Sequence, residues 1–230
     1  MAPTATAWPT HTPSPPSAVA PETRAESPWT VYSDANDVRA LAIDAAGRIW
    51  TAGAGGALCW DGADGSVVRY TSLDGLRGNR VESMTIAPDG ALWFAGDSQV
   101  SRFDGQSWRT YVAGDDLSDA ELFSIFAAPD GALWLGTNRG LARYAGGAWT
   151  AYDSDDETAL DAVVDMAAAP DGALWFARWY GTILAYDGTD WRVHTIDGGA
   201  DRIIYCVAFA PDGALWVGSD AGAARFDGEA

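Results

Sequence analysis

At 230 residues, 48% of them hydrophobic and with 12 Trp and 26 Gly, the chain is long enough for one large domain of many short strands. The formal net charge is −18 and all 14 cations are arginine, so the surface repels nucleic-acid phosphates and anionic membranes, and neither is expected as a partner. No apolar run approaches the roughly 20 residues that cross a bilayer, so no membrane insertion is expected.

Residues 1–28 differ in kind from the rest. Seven of the 11 prolines lie here among Thr, Ser and Ala, as in Thr10-His11-Thr12-Pro13-Ser14-Pro15-Pro16-Ser17. Such a segment buries no core and is predicted to be an extended linker. It resembles the spacers that follow the signal peptide or lipid anchor of exported bacterial proteins. That likeness implies an extracellular or periplasmic domain tethered through the linker. Met1-Ala2-Pro3-Thr4 has no apolar centre, so no signal peptide is expected in this stretch, and Met1 is read as a start that replaces a removed signal. A cytoplasmic tail is the other reading.

From residue 29 onward one stretch recurs. Ala87-Pro88-Asp89-Gly90-Ala91-Leu92-Trp93 returns unchanged at 128–134, 169–175 and 210–216, and Asp44 to Trp50 is a weaker copy. The five tryptophans are spaced 43, 41, 41 and 41 residues apart, the period of an array built from one supersecondary unit. Pro-Asp-Gly between two apolar runs predicts a β-hairpin: proline presets φ and glycine accepts a positive φ. A second hairpin follows in each copy, as in Val100 to Phe103, the turn Asp104-Gly105, and Trp108 to Tyr111. Four short antiparallel strands per repeat make the blade of a β-propeller.

The chain stops at Arg225-Phe226-Asp227-Gly228-Glu229-Ala230, after the third strand of the fifth copy, and Trp29-Thr30-Val31-Tyr32 supplies the missing fourth strand. The prediction is an all-β, five-bladed β-propeller of four-stranded blades over 29–230, with its ring closed by strand 29–32. The repeats run over about 37–72, 80–112, 121–152, 162–195 and 203–228. A fragment of a longer array is the alternative.

The repeat resembles that of the two-component regulator propeller family. The third copy, with Leu135-Gly136-Thr137-Asn138-Arg139-Gly140-Leu141, matches best. The resemblance covers 29–228 and implies an exported, ligand-sensing propeller, often seven-bladed in that family. Five repeats stand here, and no kinase or transmembrane segment is read among the 230 residues.

Uniform turns report folding, whereas divergent loops on a rigid scaffold report binding. The loops between strands two and three and the links between blades share one face, and the links vary most: 33–37, 72–80, 113–121, 153–161 and 196–202. Trp179 alone among the tryptophans of the repeats has no repeat role. It lies in Arg178-Trp179-Tyr180, where other copies read Asp97-Ser98 or Asn138-Arg139. This cluster suits stacking on a sugar or anchoring a protein, and the other reading is a ring folded down over its own blade. Near the start of strand one, Arg39, Glu82, Phe123, Val164 and Tyr205 occupy equivalent positions. They are candidate residues of the channel entrance, or else pack between blades.

Other chemistry has less support. Tyr152-Asp153-Ser154-Asp155-Asp156-Glu157 lacks the glycine and glutamate spacing of a calcium loop, so no metal is assigned. His194 stands where Tyr70, Tyr111 and Tyr152 stand and is read as structural. Cys59 and Cys206 fall on different strands and are expected to be free thiols. No catalytic residue or cofactor is implied. The expected function is non-catalytic recognition of a glycan, peptide or protein by a monomer. A structural module of a larger extracellular complex is the alternative, with a polysaccharide-active enzyme behind it.

Overall fold

The computed structural model describes residues 37–111, 120–153, 162–196 and 202–226. The linker 1–28 and the closing strand expected at 29–32 lie outside the described residues, as does most of the divergent links. Each repeat forms one antiparallel sheet. Blade 1 holds β1 (Val38–Ile43), β2 (Ile49–Gly53), β3 (Gly56–Trp60) and β4 (Val67–Tyr70). Blade 2 holds β5 (Ser83–Ile86), β6 (Leu92–Gly96), β7 (Gln99–Phe103) and β8 (Trp108–Tyr111). Blade 3 holds β9 (Leu122–Ala127), β10 (Leu133–Thr137), β11 (Gly140–Ala145) and β12 (Ala148–Asp153). Blade 4 holds β13 (Val163–Ala168), β14 (Leu174–Arg178), β15 (Thr182–Tyr186) and β16 (Trp191–Thr195). Blade 5 holds β17 (Ile204–Phe209), β18 (Leu215–Ser219) and β19 (Gly222–Phe226), a three-stranded sheet among the described residues.

Strands pair in chain order within each blade, and first strands adjoin: β1 packs on β5, β5 on β9, β9 on β13 and β13 on β17. This is the five-bladed propeller arrangement read from the repeat. The Pro-Asp-Gly hairpins form as the residue types require. Gly90 has φ +82°, and Asp89 Oδ1 accepts the Ala91 N–H at 3.0 Å. The same bond recurs from Ala132 to Asp130 at 2.9 Å, from Ala173 to Asp171 at 3.0 Å and from Ala214 to Asp212 at 3.1 Å.

The freed oxygen of that aspartate holds an arginine over the strand-two tryptophan. Arg102 bonds Asp89 at 2.8 Å and lies 5.8 Å from the Trp93 ring, and Arg143 bonds Asp130 at 3.0 Å and lies 5.8 Å from the Trp134 ring. In blade 1 Cys59 takes the arginine position. Arg48 from the turn replaces the missing cation, bonding Asp44 at 2.7 Å and lying 5.9 Å from Trp50. Cys59 and Cys206 are both free, the first buried and the second exposed, and burial pushes the Cys59 thiol up to about 11.

Between blades the tryptophan does the packing. Trp134 stacks on Tyr152 of its own blade at 5.4 Å and meets Phe176 and Tyr186 of blade 4 at 5.2 and 5.9 Å. His194 plays the tyrosine's part in blade 4, stacked on Trp175 at 4.9 Å and 5.1 Å from Phe226, and burial lowers its pKa.

Small polar side chains stitch the first strands together. Ser83 Oγ accepts the Ile125 N–H at 3.2 Å, Ser124 Oγ donates to the Val163 carbonyl at 2.9 Å, and Asp165 Oδ2 accepts the Val207 N–H at 2.8 Å. Burial raises the pKa of Asp165 above 3.8 despite its two backbone donors, Val207 and Met166. The seam therefore favours the protonated carboxyl. That contribution is complete below 3.8 and is lost as pH rises through the folded-state value. Asp165→Ser, which copies Ser83 and Ser124 of the blade 2–3 and 3–4 seams, is expected to add about 1 kcal/mol of stability at pH 8, with the gain shrinking toward pH 4. Melting curves at the two pH values check this, and a variant less stable at pH 8 contradicts it.

Candidate functional site

A local irregularity in the ladder sets up the loop face. Pairing between strands one and two skips a residue between Val38 and Ala40, opposite the Gly136–Thr137 step, between Val163 and Asp165, and between Ile204 and Cys206. The skipped residues are Arg39, Phe123, Val164 and Tyr205. In blade 2 the paired strand begins at Ser83, and Glu82 stands at the same place with its N–H on the Ala95 carbonyl at 2.8 Å. A bulge re-aims one side chain, at the cost of a local bend and an unpaired residue, and the ladder resumes beyond it. The five positions singled out in the sequence are thus freed from ladder register at the loop end of the innermost strands.

Their surroundings divide them into two groups. At the junction of blades 1 and 2, Arg39 bonds Asp37 at 2.8 Å and also pairs with Glu82, which takes Arg80 as a second cation at 2.5 Å. Hydrogen bonds to Asp37 and Glu82 hold the Arg39 guanidinium in its charged form. Phe123 and Val164 are half-buried in blades 3 and 4.

At the junction of blades 4 and 5 the exposed residues are aromatic. Trp179 is 40% exposed, Tyr180 57% and Tyr205 55%. The backbone joins their segments: Ile204 donates to the Trp179 carbonyl at 3.2 Å, and Tyr180 forms a β-bridge with Ile203. Arg178 is half-buried and bonds the Thr182 hydroxyl at 2.8 Å. The sequence cluster Arg178-Trp179-Tyr180 and the separately chosen Tyr205 therefore share one corner of the loop face. Arg39 and Glu82 belong to another corner.

The equivalents of Trp179 explain why its ring stands free of the scaffold. In blade 3 Asn138 Oδ1 accepts the Glu121 N–H at 3.0 Å, and in blade 5 Asp220 Oδ1 accepts the Ile203 N–H at 3.2 Å. Both side chains cap the entry to strand one. In blade 4 the Trp179 N–H still reaches the Ala162 carbonyl at 2.9 Å, but Ala162 adopts φ +53° and donates instead to the Thr137 carbonyl of blade 3 at 2.9 Å. The indole has no capping duty.

Among the described residues no group of three or more His, Cys, Asp or Glu is placed to hold a metal, and no helix is long and apolar enough to cross a membrane. Residues 154–157 of the acidic run fall outside the described part. Neither the ladder skip nor the ion pairs around Glu82 have a separate sign in the sequence, although the mixture of Arg, Glu and aromatics at one repeat position is a signal that this position is not core.

Trp134→Ala, which empties a site 1% exposed, is expected to cost about 3–5 kcal/mol. Trp179→Ala is expected to cost about 1 kcal/mol, as for a surface truncation. Denaturant titration of the two variants checks the contrast, and equal losses would show that Trp179 is structural.

No family model and no curated protein sequence matches the chain. Solved structures do. The extracellular domain of a putative hybrid two component system from B. thetaiotaomicron is similar over 87% of this chain, with TM-score 0.72 and 15% identity, the match covering 29% of that chain. A second such domain from the same organism is similar over 84%, with TM-score 0.67 and 21% identity, again over 29% of its own length. Catalytically inactive virginiamycin B lyase from Staphylococcus aureus, with quinupristin, is similar over 85%, with TM-score 0.68 and 20% identity, over 71% of that chain. The chain thus spans less than a third of the two-component proteins it matches. At these identities the likeness establishes the propeller fold.

Proposed function

We propose that this protein is an exported, non-catalytic recognition domain of the sensor-propeller type, which takes a glycan or peptide at the aromatic corner of its loop face. The observation that carries the reading is the exposure of Trp179, Tyr180 and Tyr205 together at the junction of blades 4 and 5. Flat aromatic surface with a polar edge is the chemistry that stacks on sugar rings and anchors peptide side chains. The bulge and the unused cap position keep these rings outside the core without weakening it.

The extracellular two-component domains among the structural neighbours support a sensor role and export. The lyase neighbour keeps catalysis as the second reading. Its inactive form carries a histidine-to-alanine change. This chain has two histidines, and the one in the described residues, His194, is stacked on Trp175 in a blade seam. That placement favours recognition over turnover.

A glycan array followed by a peptide library is the direct test. A bound glycan or peptide is expected, with retention lost in Trp179→Ala and in Tyr205→Ala while melting stays within about 1 kcal/mol of the parent. Binding unaffected by both substitutions would refute this site, and the absence of any ligand, with a copurifying protein, would favour an assembly module.

A further inference from the structure

The link between blades 1 and 2, residues 71–82, is described from end to end and is tied down along its length. Asp74 Oδ2 accepts the Thr71 N–H at 2.8 Å and the Thr71 hydroxyl at 3.0 Å, and Asn79 Oδ1 accepts the Ser72 N–H at 2.8 Å. Leu76 is buried, and a Cβ on Gly75 would meet the Trp108 side chain at 2.7 Å. Two further contacts pin the link to blade 2. The Arg77 N–H donates to Ser101 Oγ at 2.9 Å, and Ser101 is itself buried. A Cβ on Gly96 would lie 2.0 Å from the Arg80 carbonyl oxygen, so glycine alone admits that approach.

Two guanidiniums stand on this fixed rim, each held through its Nε. Arg77 Nε donates to Gln99 Oε1, and Arg80 Nε bonds Glu82 Oε1 at 2.5 Å. Among the described residues no hydrogen bond or ion pair engages the terminal nitrogens of either side chain. Both arginines, with Gln99 and Gly78, line a shallow, solvent-open depression of about 160 Å³. The carboxylates nearby are engaged: Asp74 faces Thr71, and Glu82 also pairs with Arg39, which takes Asp37 as well. Asp97, whose Oδ2 would lie 2.6 Å from a Cβ on Gly78, is the carboxylate left at the edge.

We propose that this depression is a second binding site, which takes a small organic dicarboxylate with one carboxylate on each guanidinium. The free edge of a guanidinium is a two-donor fork matched to the two oxygens of a carboxylate. Gln99 turns its oxygen to Arg77, which leaves its amide nitrogen as a further donor. The forks are positioned before the ligand arrives, so little ordering opposes binding. With a net charge of −18 the chain repels anions at long range, and the forks therefore act at contact, without steering. The size of the depression restricts what it encloses to a short carbon chain. The site shares no residue with the aromatic corner and stands or falls independently of it.

Isothermal titration of the full-length chain at low ionic strength tests this, with malonate, succinate and glutarate as probes and acetate and sulfate for comparison. One of the three dicarboxylates is expected to bind roughly tenfold more tightly than acetate or sulfate. Arg77→Lys and Arg80→Lys keep the charge but lose the fork, and each is expected to weaken that binding roughly tenfold. Arg109→Lys, at an exposed arginine of β8 outside the depression, is expected to change nothing. Asp97→Asn is expected to tighten binding roughly threefold by removing the nearest repulsion. Melting curves of all four variants are expected to match the parent, because each changes an exposed side chain. Absence of binding by all three dicarboxylates, equal binding of acetate or sulfate, or lysine variants that bind as the parent does would each overturn the proposal.

Discussion

The structure depends on one contact, the strand-two tryptophan of each blade lying under the next blade. Burying a tryptophan removes roughly 200 Å² from water, about 5 kcal/mol of gross driving force. Trp50 and Trp134 are buried to 0% and 1% only because a following sheet covers them. A single blade is a short sheet with both faces apolar, so it gains its core from its neighbours. Two sheets share each of the four larger clusters: Trp50 and Phe94 sit in one, and Trp134 and Phe176 in another. Stability is thereby a property of seams, and the hairpins serve to hold each tryptophan at the right height.

How tightly the repeat holds that height shows where it was altered. Blade 1 has lost the strand-three arginine to Cys59, yet a guanidinium still lies 5.9 Å from Trp50, now supplied by Arg48 four residues from its carboxylate Asp44. The Trp50 indole N–H meets the same carboxylate at 3.0 Å. Exposed ion pairs of this kind contribute little by themselves, about 0–1 kcal/mol. Their recurrence at one place is better understood as orientation: aspartate ends the turn, points the arginine, and the arginine closes the outer rim of the tryptophan. Blade 4, with Ala185 at the arginine position, keeps Trp175 without that lid and leaves it half-buried.

These dependences decide what the sequence disclosed. The strand order, the hairpin turns and the seam tryptophans were legible because each is fixed by local chemistry that recurs every 41 or 43 residues. The role of His194 was legible for the same reason, since its repeat position is otherwise tyrosine. Positions with no repeat constraint were visible as outliers but not interpretable. That Trp179 is an outlier is a fact of the sequence; that Ala162 turns its N–H to Thr137, and so leaves the indole without a capping role, is a fact of the backbone. The raised pKa of Asp165 likewise follows from burial in a seam, which a serine-to-aspartate change at one repeat position does not reveal.

Exposure of a tryptophan thus means different things at two places in one chain. Trp216 is exposed by position: it stands in blade 5 where Trp50, Trp93 and Trp134 are covered by the following sheet. Trp179 is exposed by identity: its position is polar in blades 2, 3 and 5 and lies at solvent whatever blade follows. A covering sheet would bury the first and leave the second untouched. The bulge makes the separation possible, because it lets Tyr205 turn to the loop face while Val207, two residues on, keeps its place in the seam. The loop face can therefore change its chemistry without cost to the contact on which the fold depends.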